Sequence, residues 1–325
     1  MPRAVVQTGD DAGIAQASAL IRQGVLVAIP TETVYGLAGD ATDDRAVAEI
    51  FEVKARPLFN PLIVHVLDRE AAVRHAFLSD AAVRLAGAFW PGPLTLVAPR
   101  HRDCQISRLA SAGLDTVALR APAHPVARAL LRKCERPLAA PSANPAGRLS
   151  PTEAGHVAAM LGERVSSILD GGPCRFGIES TVVDVSTDDP ALLRPGAIAA
   201  DEIEACLGHA LATAGIGPAR SPGMQLRHYA PRVPIRIDAE RVAPTEALLA
   251  FGPTPLAGAA ETLNLSLTGD TTEAAANFFA MLHRLDDPRF TGIAVMPIPA
   301  RGLGIAIRDR LRRATEADDA ARHPD

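Results

Sequence analysis

The fold is decided by residues 30–66, which begin PTETVYGL and end KARPLFNPLIVHV. The run VLVAI at 25–29, directly before them, is apolar and mostly β-branched, and LIVHV at 62–66 has the same character. Such runs predict strands that are buried on both faces. Polar residues follow the first run at once, where α/β folds usually bind their ligands. This stretch therefore predicts an α/β domain with a ligand site at strand ends.

A helix with cations at its end is predicted between these two strands. Thr42 or Asp43 can cap its first turn, and it runs through Phe51. Lys54 and Arg56 lie just past its end, a position that the helix dipole alone favours for positive charge. They can therefore be solvated helix ends. They can equally serve an anionic substrate, which requires cations near hydroxyl groups.

Three later motifs change that balance. They are PLAAPSAN at 137–144, followed by SPT at 150–152; GIESTVVD at 177–184; and LRPG at 193–196, which ends a strand. Serine, threonine and asparagine in such places often only shape turns. Turn chemistry alone does not require an arginine, an asparagine and a histidine within 54–66 followed by these motifs. Their joint occurrence favours a functional site.

Composition is consistent with a soluble intracellular enzyme and indicates little more. The chain has 325 residues, a length that favours two domains over one. Its formal net charge of −4 and 4% aromatic content argue against a broad nucleic-acid surface or a base-stacking platform. Four cysteines lie far apart without a CxxC pair, which predicts reduced thiols in a reducing compartment; they are Cys104, Cys134, Cys174 and Cys206.

The N-terminus lacks the layout of a signal peptide, and no apolar run approaches the length of a membrane span. We therefore expect a cytoplasmic protein without a membrane partner.

Helices and strands alternate along the chain. Strands are predicted at 25–29, 62–66, 94–97, 116–120, 166–169 and 181–185, and helices at 11–23, 43–53, 80–89, 124–133 and 152–161. A segment dense in proline and glycine then predicts a linker at 214–233. Beyond it, short strands at 234–237, 247–251 and 292–296 and helices at 272–285 and 304–317 predict a small α/β domain.

The ordered set PTETVYGL, KxRPxxNPLxVH, PSAN and ESTVVD resembles the YrdC family. SPGM at 221–224 and HYAP at 228–231 resemble the linker of that family's long, two-domain form. The resemblance implies a twisted mixed-sheet YrdC-like catalytic domain at 1–213. It also implies a linker at 214–233 that acts as an active-site gate, and a smaller Rossmann-like α/β domain at 234–325.

The family makes L-threonylcarbamoyl-adenylate from L-threonine, bicarbonate or CO2, and ATP, and releases pyrophosphate. The resemblance thus implies these three substrates, Mg²⁺ held through the ATP phosphates, and no organic cofactor. The product serves the threonylcarbamoyladenosine modification of tRNA, so tRNA is expected as a partner only indirectly, through a downstream transferase.

Matching motif to motif implies a role for each site residue. Lys54 and Arg56 would be catalytic, neutralising the triphosphate and the departing pyrophosphate. The threonine-binding set would be Thr33, His65, Arg120, Ala140 and Ser180, with the guanidinium of Arg120 on the substrate carboxylate. The ATP-binding set would be Arg56, Asn60, Thr116, Ser142, Ser150, Arg194 and Tyr229.

Two alternatives stay open. One is an RNA-binding or ribosome-assembly module with a concave basic surface, against which the acidic balance and the scarcity of aromatic residues argue. The other is a carbamoyl-adenylate-forming carbamoyltransferase of the hydrogenase-maturation type. Those enzymes carry an acylphosphatase module and zinc-finger cysteine pairs, which this sequence does not show. The oligomeric state is left undetermined.

Overall fold

The computed structural model describes residues 4–213 and 228–322. Up to residue 213 the elements are, in chain order, β1 (Val5–Thr8), α1 (Asp11–Arg22), β2 (Val27–Ile29), β3 (Gly36–Asp40), α2 (Asp44–Lys54), β4 (Ile63–His65), α3 (Arg69–Ala72), α4 (Asp80–Phe89), β5 (Leu94–Pro99), β6 (Thr116–Arg120), α5 (Pro125–Cys134), β7 (Leu138–Ala139), α6 (Ala154–Leu161), β8 (Ser167–Asp170), β9 (Thr181–Asp184), β10 (Ala191–Arg194), α7 (Ala200–Leu207) and β11 (Ala212–Thr213).

Within residues 4–213 the strands form one sheet in the order β1-β8-β2-β3-β7-β4-β6-β5-β9-β10-β11. The pairs β2/β3, β3/β7, β7/β4, β6/β5 and β9/β10 are antiparallel, and the other neighbours are parallel. The prediction of a mixed sheet is therefore confirmed. Helices cover both faces, since the core contains two large apolar clusters built on different sides of these strands.

After residue 228 a second unit follows. Its elements are β12 (Ile235–Arg236), β13 (Ala247–Ala250), β14 (Glu261–Asn264), α8 (Thr271–Leu285), β15 (Ile293–Val295) and α9 (Gly304–Arg322). All pairs in the order β12-β15-β13-β14 are parallel. Parallel strands buried under helices are the arrangement of doubly wound α/β domains, as predicted for this part of the chain.

Some elements escape the sequence patterns. The interior strand β3 has the sequence GLAGD, which lacks β-branched residues and so gives no strand signal. Small residues are needed in this strand, since a Cβ on Gly39 would lie 2.8 Å from Leu26 Cδ2. The edge strand β1 and the helix α7 are likewise not predicted. Contacts with the surrounding structure, and not the periodicity of their own residues, determine these two elements.

One predicted boundary is wrong. The helix predicted through Phe51, and over 43–53 by its apolar pattern, runs to Lys54, so that Lys54 is the last helical residue and not a residue beyond the end. Ala55 ends the helix in the left-handed conformation, with φ +50°, and its N–H donates to Glu52 O.

The two units share an apolar cluster. Val34, Leu149 and Ile178 of the large unit belong to the same buried cluster as Tyr229 and Phe279. The second unit is therefore docked on the first through core packing. The predicted linker at 214–233 lies outside the described residues except for 228–233. No helix within the described ranges has both the length and the apolar character that crossing a membrane requires.

We predict that Gly177→Ala destabilises the protein by about 2–4 kcal/mol, because it combines backbone strain with a clash. Gly177 has φ +61°, and a Cβ there would lie 2.2 Å from the backbone oxygen of Ala276 in α8. Gly172 is the matched control: its φ is +81°, but a Cβ there meets nothing within 4 Å. Urea unfolding of both variants measures the difference, and equal losses would show that docking against α8 does not require glycine.

Candidate active site

A narrow cavity of about 40 Å³ lies at the ends of β2, β4, β6 and β10, next to the start of β9. Loops that follow β2, α2 and β7 complete its wall, together with His228 and Tyr229 of the predicted linker. Most residues predicted for the site are brought together here: Thr33, Arg56, His65, Arg120, Ala140, Ser142, Ser180, Arg194 and Tyr229.

Arg120 is held rigidly in the wall. It lies beside His65, because β4 and β6 are parallel and pair residue for residue at their last positions. Its Nη2 donates to Glu32 Oε1 at 2.6 Å, its Nη1 to Thr33 Oγ1 at 2.9 Å and its Nε to Gly92 O at 3.3 Å. Breaking such a buried pair costs about 3–5 kcal/mol. An anion that enters the cavity thus meets an already oriented guanidinium.

Arg56 and Arg194 add two more buried cations. Arg56 donates from Nε to Asn60 O at 3.1 Å and from Nη2 to Pro61 O at 2.9 Å. The Nη2 of Arg194 donates to Ser180 O at 2.8 Å. Burial, together with the charge of Arg194, lowers the pKa of Arg56 to about 9, and burial also lowers the pKa of Arg194. Poorly solvated positive charge of this kind is stabilised by a bound anion.

Hydroxyl groups lie between these cations. Thr31 Oγ1 and Thr33 Oγ1 are 2.9 Å apart in the loop after β2. Ser180, directly before β9, has its Oγ 2.8 Å from Thr95 Oγ1 and 3.1 Å from Arg194 Nη2. These groups can orient a polar substrate beside the arginines.

Lys54 does not line the cavity. It is buried, and its Nζ donates to the carbonyl oxygens of Ser142 and Asn144. Burial, followed by the nearby charge of Arg56, lowers the pKa of Lys54 well below its usual value. The contacts hold the PSAN loop in place, so that Lys54 positions Ser142 at the cavity. A direct catalytic contact by Lys54 stays a prediction.

Three further predicted residues lie off the cavity wall. Asn60 is buried next to Arg56, and Ser150 Oγ donates to Glu179 Oε1 at 2.6 Å, directly behind the wall. Thr116 begins β6 and so lies at the opposite end of that strand from Arg120, roughly 13 Å along it. The ATP-binding roles of these three residues stay predictions.

Two carboxylates and a histidine of the wall are absent from the predicted set: Glu32 beside it, and Glu179 and His228 in it. The motifs quoted for the site contain all three. A glutamate alone is unsuited to an anionic substrate, and the partner of Glu32, Arg120, lies 88 residues away in the chain. This pairing gives no local signal in the sequence.

The histidines of the wall are neutral at physiological pH. Burial, followed by the charge of Arg120, lowers the pKa of His65 to about 3. Burial and the surrounding cations hold the pKa of His228 well below its usual value. Within the described part of the chain, neither ring nitrogen of His65 has a hydrogen-bond partner. His65 thus offers an unpaired polar ring to the cavity.

Within residues 4–213 and 228–322, the side chains of His, Cys, Asp and Glu form no group of three or more that could hold a metal ion. A Mg²⁺ ion that is held mainly by substrate phosphates and water does not require such a group.

The fold and the cavity define a two-unit α/β protein with a buried cationic site that is suited to an anion. Comparison with known proteins agrees. A family model for Sua5, YciO and YrdC, described as "Telomere recombination", matches residues 19–196, and a second, described as "Threonylcarbamoyl-AMP synthase, C-terminal domain", matches residues 198–316. The chain therefore belongs to the Sua5/YciO/YrdC family, in a form that carries the family's C-terminal domain.

Two curated relatives are named threonylcarbamoyl-AMP synthase. The protein from Pyrococcus abyssi is 41% identical over 317 residues, which is 92% of this chain and 93% of the relative. The protein from Bacillus subtilis is 39% identical over 324 residues, or 94% and 93% of the two chains. The crystal structure of P. abyssi Sua5 complexed with L-threonine superposes with a TM-score of 0.87 at 38% identity, covering 97% of each chain.

We predict that stability falls in acid because of the buried neutral histidines. Below pH 6.5, the usual pKa of histidine, the unfolded chain binds protons that the native chain does not bind until the pH approaches about 3 at His65. The free energy of unfolding should thus fall by up to about 1.4 kcal/mol per pH unit for this residue. Urea unfolding measured from pH 7 to 4.5 gives the free energy of unfolding at each pH. This free energy should fall less steeply with pH in His65→Leu than in the wild-type protein, and an equally steep fall would contradict the prediction.

Proposed function

We propose that the protein makes L-threonylcarbamoyl-adenylate from L-threonine, bicarbonate or CO2, and ATP, as a threonylcarbamoyl-AMP synthase. The observation that carries the proposal is the cavity in which Arg56, Arg120 and Arg194 are buried together beside the hydroxyls of Thr33 and Ser180. The relatives that match nearly the whole chain are named for this activity. The product would serve tRNA modification through a separate transferase, so that tRNA is met only indirectly.

Threonine would bind at the ends of β4 and β6. The guanidinium of Arg120, fixed by Glu32, suits the substrate carboxylate. The hydroxyl of Thr33 and the neutral ring of His65 face the same space. The similar crystal structure of P. abyssi Sua5 is a complex with L-threonine, which supports this part of the proposal. Because His65 is neutral, it adds no positive charge beside the substrate amine.

ATP would lie toward Arg56 and Arg194. The reaction needs no protein nucleophile: the amine of threonine captures CO2, and a carbamate oxygen attacks the α-phosphorus in line while pyrophosphate leaves. Alignment and charge neutralisation are then the tasks of the site. Buried guanidinium groups are suited to the charge that develops on the departing pyrophosphate. Mg²⁺ would accompany ATP through its phosphates.

We expect pyrophosphate release from ATP that depends on both L-threonine and bicarbonate. Serine should be a poorer substrate, because one missing methyl group costs about 1–3 kcal/mol in an apolar sub-pocket. A coupled pyrophosphate assay with threonine, serine and alanine measures this, and a bicarbonate-free buffer serves as the control. Equal turnover with all three amino acids, or with none, would contradict the proposed function.

The segment 228–231 closes the cavity and would act as its gate. A volume of about 40 Å³ is far below the roughly 300–1,000 Å³ of sites for molecules of nucleotide size. Tyr229 is 1% exposed and packs against Phe279, with the two rings tilted by 37° and their centroids 5.7 Å apart. Its backbone has φ +67°, a conformation that costs about 1–2 kcal/mol in a residue with a Cβ. Displacement of this segment would both enlarge the cavity and relieve that strain.

A reversible crosslink tests the gate. Arg148 and Ala230 form a β-bridge, and Ala230 N donates to Gly147 O at 2.8 Å. Bridged residues lie roughly 5 Å apart, within reach of a disulfide. The variant Arg148→Cys/Ala230→Cys should lose at least about 90% of threonine-dependent turnover when oxidised and regain it with reductant.

Oxidised wild-type protein and the single Arg148→Cys variant are the controls. Full turnover in the crosslinked protein would show that the segment is docked permanently.

A further inference from the structure

Arg310, in helix α9 of the C-terminal unit, is wholly buried against the catalytic unit. Its side chain is 0% exposed, and its Nε donates to Glu179 Oε2 at 3.0 Å. Its Nη1 donates to Pro195 O at 2.8 Å and to Asp309 Oδ2 at 2.9 Å. The guanidinium carbon lies 5.2 Å from the centroid of the Tyr229 ring. One residue of the second unit thus contacts two segments of the first and the residue that closes the cavity.

Glu179 is the partner that connects Arg310 to the site. It lines the cavity, and its two carboxylate oxygens are divided: Oε1 accepts from Ser150 Oγ at 2.6 Å, and Oε2 accepts from Arg310. Each carboxylate oxygen of Glu179 thus accepts a hydrogen bond from a protein side chain. The carboxylate is therefore held in one orientation by two groups that are themselves buried.

The next residue in the chain continues the connection. Ser180 accepts from Arg194 at both its carbonyl oxygen and its Oγ, at 2.8 and 3.1 Å. Arg194 is followed by Pro195, whose carbonyl accepts from Arg310. Arg310 therefore holds together the two backbone segments 179–180 and 194–195, which are also joined by the contacts of Arg194 with Ser180. A change at Arg310 therefore affects the proposed phosphate site, although Arg310 itself has no contact with the substrate.

The negative charge of Glu179 requires the contact with Arg310. Burial opposes the charge on Arg310, but Tyr229, Glu179 and Asp309 outweigh burial and raise the pKa of Arg310 above its usual value. Glu179 without this partner would be a buried carboxylate beside a cavity that must accept the phosphates of ATP. It would repel them, and it would compete with them for the guanidinium of Arg194.

We propose that Arg310 is a positioning residue of the nucleotide site, through which the C-terminal unit holds the Glu179 carboxylate away from the phosphates. This inference rests on the proposed function for the identity of the nucleotide, and it assigns the second unit a part in nucleotide binding. The proposal requires that the loss of nucleotide binding in an Arg310 variant come from the unpaired charge of Glu179. A second substitution, at Glu179, can remove that charge.

The test is a double-mutant cycle read as KM for ATP against KM for threonine. Arg310→Met should raise KM for ATP at least about tenfold and change KM for threonine by less than about threefold. Adding Glu179→Gln should return KM for ATP to within about threefold of the wild-type value, because the unpaired carboxylate is gone. A purely structural role predicts the opposite, since the double variant has lost more hydrogen bonds than the single one.

Arg308→Met is the matched control, because Arg308 lies on the same helix, is half exposed, and pairs with Asp238 at 3.4 Å away from the cavity. Its KM values should stay at the wild-type level. Arg310→Lys keeps a cation beside Glu179 and should keep KM for ATP within about threefold of wild type, which also covers the case in which Arg310→Met does not fold. The proposal is overturned if KM for ATP of Arg310→Lys rises by more than about threefold. It is also overturned if KM for ATP of the double variant is no lower than that of Arg310→Met.

Calorimetric titration of each variant with a non-hydrolysable ATP analogue separates this proposal from the proposed function. Weaker analogue binding by Arg310→Met, reversed in the double variant, supports the positioning role of Arg310 even if threonine-dependent turnover is absent from the wild-type protein. Analogue binding that is equal in wild type and Arg310→Met overturns it, whatever the turnover shows.

Discussion

Positive charge buried at the ends of the sheet strands is the constraint on which the rest of the structure depends. Arg56, Arg120 and Arg194 are each less than 10% exposed, and water cannot solvate them. The protein satisfies their donors with carbonyl oxygens of nearby loops and with the carboxylate of Glu32. These contacts fix the loops, and the charge that remains uncompensated is what an anionic substrate neutralises. Binding and loop order thus have the same electrostatic origin.

The same constraint explains why the second unit is docked so closely. Glu179 brings a negative charge to the cavity wall, and Arg310, from α9, forms an ion pair with it. The apolar cluster that contains Ile178 and Phe279 brings α8 and α9 into the register that this ion pair requires. Packing and electrostatics therefore support each other at one interface, and the catalytic wall is built from both units.

The sequence predicts the fold well where burial imposes a pattern. The strands β4 and β6 and the helices α4 and α8 are apolar runs or amphipathic periods, because each covers a core. It fails at β3, whose glycines are required by the close approach of Leu26 and Ala140, a contact that no local pattern reveals. It also ends α2 too early, because Ala55 takes the left-handed conformation that glycine usually occupies.

For the site, the sequence by itself determined which kinds of side chain meet: hydroxyls and cations in motifs that end strands. The tertiary structure decided which of them face the cavity. Lys54 and Arg56 are two residues apart, yet Lys54 turns to the carbonyls of the PSAN loop while Arg56 lines the cavity. The carboxylate partners are decided at this level too, since Glu179 and Arg310 are 131 residues apart. Periodicity and capping act within a few residues, whereas the partner of a buried charge is fixed by strand order and domain docking.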